Sequence, residues 1–109
     1  MKNYTDLEQS EKLVEFLPLE SADMCYPLPC NDGDKPLLEQ GGFGSTPCWS
    51  LAALIAVLPR RTSLLKSAID DTYNCICPNY IVDKWFDNPI DACYELILKL
   101  HENKLLLNK

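Results

Sequence analysis

The twenty residues GGFGSTPCWSLAALIAVLPR, from Gly41 to Arg60, restrict this chain more than any other stretch. A glycine-rich run leads into Thr46-Pro47, and from Trp49 to Leu58 the only polar side chain is Ser50. Thr46 suits an N-cap, because its hydroxyl can accept from a free N–H of the first turn. Pro47 suits the first helical position, where a missing N–H costs nothing. Leu51, Leu54, Ile55 and Leu58 recur at helical spacing, and Ala52, Ala53, Ala56 and Val57 fill the other faces. Pro59 stops the helix, since it cannot donate to the i−4 carbonyl. The spacing thus predicts a central helix near 47–58 with the rest of the chain packed around it. A helix apolar on nearly every side must be buried on more than one side or meet a partner. It is too short to cross a bilayer, which takes about 20 apolar residues.

Before that helix, Thr5 and Glu8 fit a capping box. Leu7, Val14 and Leu17, with Leu13 beside them, predict an inward face; Glu8, Glu11, Lys12 and Glu15 predict a wet one, and Pro18 ends the helix. Pro27 and Pro29 restrict 24–30 to an edge strand or an extended loop. Asn31-Asp32-Gly33-Asp34 is a turn signal, with 35–39 as a returning arm.

After the central helix, 62–69 fits a helix through Leu64, Leu65, Ala68 and Ile69, and fits a strand nearly as well. Asp70-Asp71 marks a turn. Tyr73, Cys75 and Cys77 then alternate on one face, Pro78-Asn79 turns the chain, and 80–86 returns as a second arm rich in aromatic and β-branched residues. Asn88 caps a last helix that has Pro89 at its first position and Asp91 near its positive end. Cys93, Leu96, Ile97 and Leu100 form its apolar stripe, Glu95 and Lys99 an i,i+4 pair, and Asn103 a left-handed stop. Leu105-Leu106-Leu107 is expected to fold back onto the core. The whole predicts a single α+β domain over residues 1–109, a small antiparallel sheet of short hairpins packed with about three helices.

Two patterns carry a resemblance. One is Thr46-Pro47-x-Trp49-Ser50-Leu51-x-x-Leu54-Ile55-x-x-Leu58-Pro59; the other is Asp87-Asn88-Pro89-x-Asp91-Ala92 with the helix after it. Together, over about half the chain, they resemble small uncharacterised proteins of gut bacteria of the Bacteroides group, often found near phage-like or mobile elements. The resemblance implies an α+β fold and a cytoplasmic setting. It carries no activity and no catalytic residues. Pro27, Pro29 and the extra cysteines are not typical of that group.

A formal charge of −6 repels phosphate backbones, so nucleic-acid binding through a broad basic surface is not expected. No basic segment followed by an apolar run opens the sequence, which predicts a cytoplasmic protein with no membrane contact. The Gly41–Thr46 loop before a helix resembles an anion cradle, but it lacks the lysine of a Walker loop and does not match G-x-G-x-x-G. Cys25 and Cys30 have a spacing seen in zinc sites, whereas Cys75 and Cys77 do not. On a regular strand those two thiols share a face about 6.6 Å apart. A cysteine-ligated metal module is therefore the alternative reading, and no metal or cofactor is assigned. Cys48 and Cys93 are expected as small core residues. His101 is the only histidine; pairing it with Cys93 or Cys48 as a nucleophile would need a third group to orient the base, and no spacing selects one. A small enzyme ranks third, and no catalytic residue is assigned.

What remains is contact. Phe43, Trp49, Ala53, Val57 and Trp85 are the residues expected at a protein interface, either a homodimer or a protein partner. In a reducing compartment most of the six cysteines are expected as thiols. Thiol titration of the denatured, unreduced protein should find at least four of those six; finding none would place the chain in an oxidising compartment.

Overall fold

The computed structural model describes residues 3–26, 46–59, 61–77, 80–81 and 84–103. Among these residues three helices, α1 (Leu7–Leu13), α2 (Leu51–Val57) and α3 (Pro89–Glu102), accompany five short strands. β1 (Met24–Tyr26) pairs with β2 (Thr46–Cys48), and β3 (Ser63–Lys66), β4 (Tyr73–Cys77) and β5 (Tyr80–Ile81) form a second antiparallel sheet in that order. The class is α+β. Among the described residues no helix is long and apolar enough to cross a membrane.

α3 is the element the sequence describes best. The Asn88 side chain accepts from Asp91 N at 2.8 Å, and Pro89 occupies the first turn. Ile90, Ala92, Cys93, Leu96, Ile97 and Leu100 are buried in one continuous stripe, as the 3.6-residue period requires. The helix ends differently from the expectation. Asn103 has φ −94°, which is not left-handed, and its side-chain amide instead donates to the Lys99 carbonyl at 2.7 Å. Lys99 reaches Glu102 at 3.5 Å.

The start of the central helix needs correction. Thr46 and Pro47 do not open it. They lie in β2, opposite Tyr26 and Cys25. Proline is tolerated in such an edge position, where no ladder N–H is required. The cap is Ser50, four residues later, whose Oγ accepts from Ala53 N at 3.2 Å. Asp23 fixes that cap by accepting the Ser50 backbone N–H at 3.0 Å as well as its hydroxyl. Pro59 does end the helix: Leu58, just before it, is already extended at ψ 154°.

The first helix shows the same kind of shift, by one residue. Asp6, not Thr5, is the N-cap; its carboxylate accepts from Gln9 N at 2.7 Å while Asp6 N donates to Gln9 Oε1 at 3.1 Å. The helix stops at Leu13, well before Pro18. The ambiguous 62–69 segment resolves as a strand, because β3 registers Leu64 against Cys75 and Lys66 against Tyr73. The first-hairpin turn and its 35–39 arm, the Gly41–Ser45 loop, Pro78-Asn79 and Leu105–Leu107 lie outside the described residues. The partner that β1 finds is β2.

The main core joins Leu13 and Leu17 of the α1 segment, Trp49, Leu54 and Leu58 around α2, Cys75 and Cys77 of β4, and the α3 stripe. α2 is therefore a contributor to the core and α3 its centre. On α2 only Ala53 and Leu54 are buried, whereas Ala52, Ile55 and Ala56 face outward. Leu54 is fully buried and Ile55 is 44% exposed. Leu54→Ala should cost about 2–5 kcal/mol through lost transfer energy and a cavity, and Ile55→Ala less than about 1 kcal/mol. Urea unfolding of the two variants checks the ordering; equal losses would mean that α2 packs through a different face.

Candidate functional site

Two polar arrangements decide which aromatic residues are available at the surface. The first is internal. Thr5 is fully buried, and its Oγ1 lies 2.8 Å from Ser10 Oγ and accepts the Trp49 backbone N–H at 3.1 Å. Thr5 N donates to the Trp49 carbonyl at 2.9 Å. Tyr26 OH donates to the Thr5 carbonyl at 2.7 Å, and Cys48 Sγ lies 3.3 Å from the same oxygen. The Trp49 indole N–H donates to Ser21 Oγ at 3.0 Å.

This network holds Trp49 inside the protein with no exposed surface. Its expected place at an interface is corrected: a tryptophan whose ring and N–H are both satisfied internally offers nothing to a partner. Ala53 is also buried, and Val57 is half-buried against the core. Phe43 lies outside the described residues. Trp85, by contrast, is 46% exposed.

The second arrangement surrounds Trp85. Antiparallel partners share a face and neighbours along a strand alternate. Tyr73 bridges to Phe86, and both pack on the core. Cys75 and Cys77 continue that inner face. Asn74 and Ile76 therefore point outward, and Leu65, registered against Asn74, points with them. Lys84 Nζ lies 5.2 Å from the Phe86 ring centroid, and Trp85 stands between these two residues, beyond the end of β5 and exposed.

That outer face carries exposed Ser63, Leu65, 40% exposed, half-buried Ile76 and an amide in an unusual state, and exposed Trp85 lies next to the Phe86 bridge to β4. Asn74 is only 6% exposed, yet among the described residues its Oδ1 has no hydrogen-bond partner. A buried acceptor left unpaired costs about 1–3 kcal/mol. The alternation over 73–77 already implied an outward Asn74 and Ile76. What sequence could not supply was the register of β3, which adds Leu65 to them.

The chemical alternatives fare as follows. Among the described residues no group of three or more His, Cys, Asp or Glu side chains could hold a metal ion. Cys25 is buried and Cys30 lies outside the described residues. Cys75 instead meets Cys93, with Sγ atoms 3.7 Å apart. His101 stacks on Phe16 with ring centroids 3.9 Å apart and planes 7° apart. It lies two helical turns from Cys93, about 12 Å along the axis, so those two are not brought together. The helix that would complete an anion cradle after Gly41–Thr46 starts only at Leu51. At the head of α3, Asp91 accepts from Gln9 Nε2 at 2.8 Å and from Asn88 Nδ2 at 2.9 Å, which ties α1 to α3.

Comparison with protein-family models, with curated proteins and with solved structures gives no match.

The internal network has a pH signature. Burial, and next the neighbouring Cys48, push the Tyr26 phenol well above its ordinary value. Burial also raises the Cys48 thiol. Both groups stay protonated in the folded protein at pH values where the unfolded chain releases the proton, about 8.5 for Cys and about 10 for Tyr. Their contribution is fully present below those values and is lost progressively as pH rises from them towards the raised folded values. Unfolding midpoints should therefore fall from about pH 8.5 upward. Tyr26→Phe should flatten the part above about pH 10; an unchanged slope there would remove Tyr26 as its source.

Proposed function

We propose that this chain is a small cytoplasmic interaction protein that works by protein–protein contact, and that the outer face of the β3–β4–β5 sheet makes the contact. The observation that carries the reading is the exposure of two large apolar side chains beside this sheet, Leu65 of β3 at 40% and Trp85, next to the Phe86 bridge to β4, at 46%. A large aromatic with an apolar neighbour such as Leu65 is the usual anchor of a binding surface. β3 also lies at the edge of its sheet, where an added strand can pair. A second copy is the simplest partner, because a twofold buries the same patch on both subunits. An accessory role beside a mobile element belongs to the same proposal and rests on the resemblance of the two sequence motifs alone.

With Trp49 fully buried, acrylamide-quenchable fluorescence comes from Trp85. Self-association should lower that quenching as concentration rises, alongside a dimer mass in sedimentation. A photo-crosslinker at position 65 should join the chain to one defined protein, itself or another. Trp85→Ala should weaken the complex at least tenfold, in line with about 2 kcal/mol for an aromatic anchor, while leaving the unfolding midpoint nearly unchanged. Crosslinks from position 65 no more specific than those from exposed Glu11 would sink the reading.

A further inference from the structure

Cys75 and Cys93 lie on different elements, the central strand of the larger sheet and the second turn of α3, and are 18 residues apart in sequence. Their sulfur atoms are 3.7 Å apart in a site where the two residues are 1% and 0% exposed. Two thiols in van der Waals contact across a helix–sheet junction are one side-chain adjustment from a disulfide, whose S–S length is about 2.05 Å. We propose that Cys75 and Cys93 form a reversible dithiol–disulfide pair that locks α3 to β4 when the protein meets a low-molecular-weight disulfide.

The chemistry balances within that exchange. A thiolate at Cys93 attacks one sulfur of the small disulfide, forming a mixed disulfide and releasing one small thiolate. Cys75 then loses its proton and attacks the Cys93 sulfur, releasing the second small thiolate. The protein has lost two hydrogens, and both small thiols carry them away once the released thiolates are protonated. The order follows from the pair itself. In the neutral pair either S–H can donate. Once one sulfur is ionised only the other can, and hydrogen bonding with Cys75 lowers the Cys93 thiol while the same contact, with burial, raises Cys75. Because both sulfurs are buried, the small disulfide enters only when α3 lifts from the sheet. Oxidation therefore runs at the rate at which this junction opens, and the product holds that opening shut.

The test uses the full chain, folded and reduced, treated with oxidised glutathione, quenched in acid, alkylated in denaturant and digested with trypsin. Cleavage at Lys66, Lys84 and Lys99 separates peptide 67–84, carrying Cys75 and Cys77, from peptide 85–99, carrying Cys93. The expected product is the two peptides joined, with fragmentation placing the link at Cys75. Its thermal midpoint should rise by at least about 5 °C over the reduced form and return when dithiothreitol is added. Cys77→Ser should keep the link and Cys75→Ser should lose it. Should Cys75→Ser not fold, the wild-type fragmentation decides alone. A link placed at Cys77, both thiols still alkylated after prolonged treatment, or a joined product no more stable than the reduced protein would each overturn the proposal.

Discussion

The structure depends on one packing event, the burial of the α3 stripe against β4. Every other element is too short to stand without it. α1 and α2 have seven residues each and the strands two to five. Helices of that length are marginal in water, and a lone hairpin is no better. α3, with fourteen residues, is the exception. Its Ile90, Cys93, Leu96, Ile97 and Leu100 offer a fully buried surface on which Cys75, Cys77, Leu54 and Trp49 can settle. Each fully buried side chain of that size contributes about 1.5–3 kcal/mol, so this junction supplies most of what opposes chain entropy.

The buried hydroxyl network at Thr5 solves a different problem. β1 and β2 form a separate two-stranded sheet with a small cluster of Met24, Tyr26 and Cys48. That cluster is too small to hold itself. Thr5 ties it to the main core through bonds to both ends of the Trp49 peptide and to Ser10 of α1. The same bonds bury Trp49. Structural use of one tryptophan leaves Trp85 as the one of the chain's two that a partner can reach.

The β3–β4–β5 sheet divides its labour between faces. Its inner side carries cysteines and aromatics into the core, and its outer side carries Leu65, Asn74 and Ile76. A sheet with one packed face usually shows polar residues on the other. Here the outer face mixes apolar Leu65 and Ile76 with Ser63 and with Asn74, whose buried Oδ1 has no hydrogen-bond partner among the described residues. The proposed contact surface and the proposed thiol pair concern opposite faces of β4, so either can act without disturbing the other.

Sequence alone determined the α+β class and the start and inward stripe of α3, though not its C-terminal stop, because Asn88-Pro89 and a stripe of period 3.6 are local signals that packing reinforced. It determined the inner face of β4 through simple alternation. It also determined that α2 ends at Pro59. Where that helix begins was decided by tertiary structure, since Thr46 and Ser50 are both competent caps and only pairing with β1 and the Asp23 carboxylate selects between them. Competition of the same kind moved the first cap from Thr5 to Asp6, because the Thr5 hydroxyl is taken by Trp49 and Ser10. The strand identity of 63–66 came from its register with β4, a long-range partner that no window of neighbouring residues contains. The choice between the two tryptophans was likewise tertiary: burial is a property of what surrounds a side chain, and the indole of Trp49 found Ser21 while that of Trp85 stays 46% exposed.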